Sequence, residues 1–329
     1  MTRPIEEESA EGHEQTRTAF GVKLSIDPRI SIPGLGAPSA SPLGESSTRI
    51  RLDTEELNQR WEALTTPPER ARALYLDETL LLSVDFAEPA GYLMWAKDFG
   101  RILISPDGRE LLCDPDPRNE DWSSILAAQA LPLAATIRGL EVFHASGVVI
   151  DGRALLFAGQ PGAGKSSLAA AFVREGALLL SDDAVALQLD RECLIAHAGS
   201  VALQLRAAED EQLTDEQRAS LGRAVSSSTG KHRYVSSEVP EPAPFAALFL
   251  LERSAKEPAI ARLDAVNPFE LIASTFNLSV RTPARLQRQL DVVSTIATQG
   301  LAYRLRVQPD VSASRLARIL QAQLAASNA

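Results

Sequence analysis

The stretch Gly159-Gln160-Pro161-Gly162-Ala163-Gly164-Lys165-Ser166 constrains this chain more than any other. It matches the phosphate-loop pattern G-x-x-x-x-G-K-[ST] at every fixed position. Glycines let the backbone curl so that successive N–H groups face one anion. A lysine adds a mobile positive charge for the β- and γ-phosphates, and the Ser166 hydroxyl is placed to reach Mg²⁺. The context agrees. Ala154–Ala158 is an apolar run that reads as a strand entering the loop. Ser167–Val173 reads as the helix leaving it, closed near Gly176. The helix N-terminus adds partial positive charge at the same place. By chance the pattern falls in about one chain in a hundred of this length. The expected ligand is a nucleoside triphosphate, held by Gly159, Gln160, Pro161, Gly162, Ala163, Gly164, Lys165, Ser166 and Ser167.

The rest of the chain narrows the class. Its 329 residues, 45% of them hydrophobic, suffice for one large domain or two modest ones. A net charge of −10 and the lack of a basic stripe with interleaved aromatics argue against nucleic acid as a partner. No apolar run reaches the ~20 residues of a membrane span. Cys113 and Cys193 are far apart, and the acidic start is unlike a signal peptide. A cytoplasmic protein with no membrane partner is the expectation.

Residues 1–48 are rich in Glu, Ser, Pro and Gly and are expected to form a flexible tail, apart from a short strand near Phe20–Ile26. Deletion of residues 1–45 is expected to cost no more than about 1 kcal/mol. Residues 49–139 read as a small α+β part. It has a helix over 53–64, four short strands between residues 79 and 113, and a helix over 122–140 that Pro132 kinks or restarts. From residue 140 onward the pattern is α/β. Leu140–Ile150 runs into Asp151-Gly152, the strongest short hairpin signal, and then into the strand before the phosphate loop. That strand therefore has an antiparallel neighbour immediately before it, unlike the common doubly wound plan. Ala224–Val239, with Lys231, His232 and Arg233, reads as a loop of solvated charges, and Glu209-Asp210-Glu211 as a solvated face.

Asp182 and Asp183 end an apolar strand sixteen residues after Ser166. A carboxylate there can hold Mg²⁺ or take a proton from an attacking hydroxyl. Neighbouring strand residues point to opposite faces, so both reach the site only if the strand stops between them. The metal candidates are Ser166, Asp182 and Asp183. His144, in the strand before the hairpin, is either a satisfied core histidine or a contact to the phosphate.

The run from His144-Ala145-Ser146-Gly147 through Asp151-Gly152, Gly159–Ser166 and Leu180-Ser181-Asp182-Asp183 resembles the catalytic domain of HPr kinase/phosphorylase and its relatives. The resemblance implies an α/β fold similar to the phosphoenolpyruvate carboxykinase nucleotide domain, with an antiparallel hairpin into the phosphate loop. It implies ATP and Mg²⁺ as cofactors and a serine hydroxyl of a protein or peptide as acceptor. Asp182 and Asp183 would share the roles of base and metal holder, with His144 beside the transferred phosphate. The sequence before residue 140 does not look like that enzyme's N-terminal domain. The chain looks more like related kinases of bacterial peptide-modification systems, which act on the serine of lasso-peptide precursors. Two other readings stay open: a nucleotide-binding regulatory module without transfer, and a small-molecule kinase. Neither the nucleotide base nor a homo-oligomer is decided by the sequence.

Overall fold

Apolar and polar residues alternate in Val22–Ile26, so one face of that segment can be buried; Val22, Leu24 and Ile26 are at most 3% exposed. A two-residue turn at Phe20 and Gly21, both at positive φ, folds this strand (β2) antiparallel onto Gln15–Ala19 (β1). The computed structural model describes residues 14–35, 47–227, 230–254, 258–263, 267–276, 279–308 and 311–327. Thr48–Leu52 (β3) runs parallel to β2. Helix Thr54–Glu62 (α1) follows, capped by Asp53, whose side chain accepts from the Glu56 N–H. Strands Glu69–Leu76 (β4), Thr79–Ala87 (β5), Gly91–Ala96 (β6), Gly100–Ile104 (β7) and Glu110–Pro115 (β8) form a meander. β8 lies parallel to β3, giving the order β1-β2-β3-β8-β7-β6-β5-β4. The helix expected over 122–140, kinked or restarted at Pro132, is a π-helical turn, Leu126–Ala130, followed by Leu131–Ile137 (α2) with Pro132 in its first turn. Pro132 has no N–H to donate back to the preceding turn, which is where the helix changes its pitch.

The flexible tail expected for residues 1–48 is corrected where it is described. Residues 14–35 are packed in place, and residues 1–13 and 36–46 lie outside the described residues. Phe20 N–H donates to the Ala198 carbonyl at 2.6 Å, Ser200 Oγ to the Pro33 carbonyl at 3.0 Å, and Val201 N–H to the Gly34 carbonyl at 2.8 Å. A Cβ on Gly199 would stand 2.4 Å from the Phe20 ring, so only glycine permits this seat. Each fully buried large apolar side chain contributes about 1.5–3 kcal/mol, and Phe20, Leu24, Ile26 and Ile30 are at most 2% exposed. The strand expected near Phe20–Ile26 is present as β2, while Pro- and Gly-rich composition concealed its partner β1 and the docking of the hairpin.

The second sheet is built from Glu141–Phe143 (β9), Ala145–Ile150 (β10), Arg153–Gly159 (β11), Leu178–Ser181 (β12), Val185–Asp190 (β13) and Cys193–His197 (β14). Between β11 and β12 runs helix Lys165–Arg174 (α3). Asp151 and Gly152 adopt φ 50° and 71°, so the hairpin β10–β11 forms in antiparallel register, Ala145 opposite Ala158. The small sheet Ala202–Leu205 (β15), Arg223–Val225 (β16) and His232–Val235 (β17) replaces the loop expected over 224–239. Helices Ala207–Asp210 (α4) and Asp215–Leu221 (α5) lie between β15 and β16. Arg233 is 3% exposed and paired with Asp121. Asp210, expected on a solvated face, is buried and accepts from Tyr234 and Arg218. The long strand Ala243–Arg253 (β18) pairs in parallel with β11 on one side and with Ala302–Val307 (β20) on the other; Ala259–Arg262 (β19) edges β20. Helices Pro268–Ala273 (α6), Pro283–Thr298 (α7) and Ala313–Ser327 (α8) complete the chain. The result is a mixed α/β structure with several sheets. No helix among the described residues is long and apolar enough to cross a membrane.

The two large sheets share a core across residue 140: Ile104 and Leu111 join one buried cluster with Val142, Ala184 and Ala186. A second cluster sets Phe172 of α3 and Leu320 of α8 against Phe157 and Phe249 of the central strands. Removing a buried aromatic leaves a cavity that costs about 3–5 kcal/mol. Phe20→Ala is therefore expected to lower the unfolding free energy by that amount in urea titrations. A change below 1 kcal/mol would show that the β1–β2 hairpin is not docked in solution.

Candidate functional site

The Gly159–Ser166 loop leaves β11 between antiparallel β10 and parallel β18 and enters α3 directly. Gly159, Gly162 and Gly164 adopt φ 151°, 81° and 102°, a backbone that side chains rarely tolerate. At Gly159 space also forbids one, because a Cβ would lie 2.8 Å from the Leu251 carbonyl of β18. The loop is tied down by Arg253 at the end of β18, whose Nη2 donates to the Gly162 carbonyl at 2.7 Å. Lys165 is buried, and its Nζ donates to the Gly159 carbonyl at 3.0 Å. Burial pushes its pKa down, opposed by the charges of Asp183 and Asp182 and reinforced by Lys231.

Asp182 is the centre of the arrangement. Its Oδ1 accepts from Ser146 Oγ (2.5 Å), Ser166 Oγ (2.9 Å) and the Asp183 N–H (3.1 Å), and its Oδ2 accepts from the Gln204 N–H (3.1 Å). Burial first, and the Asp183 charge second, push the Asp182 carboxyl up to about 6 against those donors. β12 stops at Ser181, before the aspartates, and Asp183 takes a left-handed backbone at φ 69°. The strand thus ends early enough for the two carboxylates not to be forced onto opposite faces. Among the described residues the Asp183 carboxylate accepts no hydrogen bond, although its backbone carbonyl does.

That carbonyl takes the His144 ring, with Nδ1 3.0 Å away. A carbonyl oxygen can only accept, so Nδ1 carries the proton and Nε2 keeps a lone pair in the neutral ring. Burial and the Lys165 charge push the His144 pKa down, which favours that neutral form. His144 sits where the expected single strand 140–150 breaks into β9 and β10; its N–H donates to the Ser274 carbonyl at 2.7 Å, and its ring lies 5.8 Å from Phe276. β9 is anchored by a buried ion pair, Glu141 with Arg285 of α7 at 2.7 Å.

The structure therefore brings Ser166, Asp182, Asp183, Lys165 and His144 together, leaves Gln160 and Pro161 exposed, and buries Ala163 in the core beneath the loop. Ser146, Gln204 and Arg253 were not singled out from the sequence. Ser146 follows His144 by two residues, a strand spacing that could have found it. Arg253 and Gln204 come from strands whose pairing the sequence does not reveal.

Two clefts flank the loop. One, about 530 Å³, is lined by Gly164, Ser167, Glu209, Val307 and Ser312, and Ser167 Oγ donates to Glu209 there at 2.9 Å. The other, about 490 Å³, is lined by His144, Gly159, Pro161, Glu270, Ser274 and Arg304. A narrow crevice with Pro33, Ala127 and Ala128 on its wall borders the two aspartates from the N-terminal side. No group of three or more His, Cys, Asp or Glu residues among the described residues could hold a metal ion by itself. The donor set present, two carboxylates and a serine hydroxyl, fits Mg²⁺, which takes one or two carboxylates and completes its shell with water and phosphate oxygens.

No protein-family model and no curated protein matches the chain. Among solved structures, the Hpr(Ser) kinase/phosphatase of Coxiella burnetii is similar at 16% identity and a TM-score of 0.31, covering 57% of this chain and 95% of that one.

Folding raises the Asp182 carboxyl to about 6, above its value of about 4 in an unfolded chain. The native state therefore holds that proton more tightly, and stability declines as pH rises from about 4 to about 6, by at most ~3 kcal/mol. Urea midpoints of the parent and of Asp182→Asn between pH 4.5 and 7 test this. The variant should show a flatter dependence over that window, and an identical slope would contradict the assigned cause.

Proposed function

We propose that the chain is an ATP- and Mg²⁺-dependent kinase that transfers the γ-phosphoryl group to a hydroxyl, a serine of a protein or peptide. The observation that carries the reading is the contact between Ser166 of the glycine loop and Asp182 at the end of β12. It sets the two oxygens that a magnesium nucleotide needs side by side, next to a lysine that among the described residues has no carboxylate partner within ion-pair distance. The loop's N–H groups and the start of α3 favour the phosphates. Ser167 and the 530 Å³ cleft beyond it suit the nucleoside end. Bound there, Mg²⁺ would neutralise charge on the β- and γ-phosphate oxygens. Asp182, fixed by four donors, is the metal-side carboxylate. Asp183, with its carboxylate uncommitted, is the base that takes the hydroxyl proton. The neutral His144 presents an Nε2 lone pair toward the cleft it lines, on the Gly159 side of the loop, which is the side for the acceptor. That cleft of about 490 Å³ is large enough for a side chain with its flanking backbone.

Lys165→Met tests the first requirement. The variant should bind MgATP at least tenfold more weakly by calorimetric titration. Its melting midpoint should be unchanged or higher, since the buried ammonium carries a desolvation penalty. Equal affinity in parent and variant would remove the loop from the nucleotide site.

A further inference from the structure

The edge strand β4 carries an arginine that the transfer reading does not yet use. Arg72 is half-buried, and its guanidinium lies 5.9 Å from the centre of the Phe276 ring. The same ring lies 5.8 Å from the imidazole of His144. Among the described residues Arg72 has no carboxylate within ion-pair distance. Its hydrogen bond there is a long one, 3.4 Å from Nη1 to Gln129 Oε1. Arg70, two residues earlier, is by contrast paired with Asp85 on β5.

The backbone explains the difference. Arg70 stands opposite Asp85 and Arg72 opposite Val84, so three residues of β4 span two of β5. Such a bulge changes the direction of the side chain that follows it, and bulges are common beside active sites. Gln129, which holds Arg72, belongs to the π-helical turn Leu126–Ala130, and Ala127 and Ala128 of that turn wall the crevice against Asp182 and Asp183. The N-terminal sheet thus presents one arginine to the same side of the site as His144 and the carboxylates. Its charge acts on His144 in the same sense as that of Lys165. Burial penalises the guanidinium's charge, and among the described residues it meets only the Phe276 ring and the long contact to Gln129, not a carboxylate. A cation held in that way is stabilised by an arriving anion.

We infer that Arg72 is a catalytic residue, donating its guanidinium N–H groups to the oxygens of the phosphoryl group in transit. The inference rests on the kinase reading above. In the step, a bond forms from the acceptor oxygen to the γ-phosphorus while the bond from phosphorus to the β–γ bridging oxygen breaks. That electron pair stays on the nucleoside diphosphate, and the hydroxyl proton goes to Asp183. Arg72 exchanges no proton. It stabilises charge on the three equatorial oxygens, a contact worth about 10³–10⁵-fold in rate when an arginine supplies it to phosphoryl transfer.

The test uses the full chain with ADP, Mg²⁺ and aluminium fluoride, which mimics the phosphoryl group in transit, and single-turnover ATP hydrolysis as the second readout. Arg72→Ala and Arg72→Lys should bind MgADP within threefold of the parent. They should lose the extra affinity that aluminium fluoride gives the parent, and hydrolyse ATP at least a hundredfold more slowly. Guanidinium ion added to Arg72→Ala should restore part of the rate, which a merely structural role would not allow. Thermal melts check that both variants are folded. A parent that gains affinity with aluminium fluoride, beside variants that gain as much and hydrolyse within threefold, overturns the role of Arg72 alone. A parent that does not bind MgADP overturns the kinase reading, and this inference with it.

Discussion

The Asp182 carboxylate is the point on which the rest of the site depends. A partly buried carboxylate next to a second one is disfavoured, and burial and Asp183 together push its pKa up. It is kept in place by donors from four parts of the chain: Ser146 on β10, Ser166 at the start of α3, the backbone of Asp183, and Gln204 on β15. Each donor arrives through a different piece of the fold. The Asp151-Gly152 turn aligns β10 with β11, the glycines release Ser166 into the helix, and the small sheet β15-β17-β16 brings Gln204 alongside. A charged group held against its own desolvation penalty is characteristic of a site built for a ligand rather than for stability.

The N-terminal sheet is part of that construction. It shares a buried cluster with β9 and β13 and closes the carboxylate crevice through Pro33 and the π-helical turn. Arg233, beside that crevice, is neutralised by Asp121 from the N-terminal part, at 2.7 and 3.0 Å. The segment from Phe20 to Gly34 is fastened to the stretch 198–201, which continues from β14 toward Gln204. Elements of the glycine loop and of the N-terminal part therefore meet at the aspartates.

Much of the site is legible in the residue order, and the reason is local. The phosphate-loop pattern, the Asp-Gly turn and the apolar strand ending in two aspartates each need only a few consecutive residues, and each folds as its own chemistry dictates. What was hidden depends on pairing between distant segments. Ser146 and Gln204 acquire meaning only through the register of β10 and β15, and Arg233 only through Asp121. The break at His144 arises because β9 and β10 pair with different strands, β13 on one side and β11 with β12 on the other. The strand near 20–26 is legible from its five well-alternating residues, but its pairing with Gln15–Ala19 was obscured because a Pro- and Gly-rich neighbourhood dilutes the composition around it. Tertiary burial, not local propensity, holds it.

The central claim is that Asp182 serves the magnesium nucleotide and Asp183 the acceptor proton. The most direct measurement pairs nucleotide affinity across a Mg²⁺ titration with single-turnover transfer from γ-labelled ATP to a serine-containing acceptor, for Asp182→Asn and Asp183→Asn. A positioned base contributes about 10²–10⁴-fold to rate. The account predicts that Asp183→Asn binds MgATP nearly as the parent does and transfers slower by that factor, while Asp182→Asn loses the Mg²⁺ dependence of its binding. Two variants that each transfer within a few-fold of the parent would contradict it.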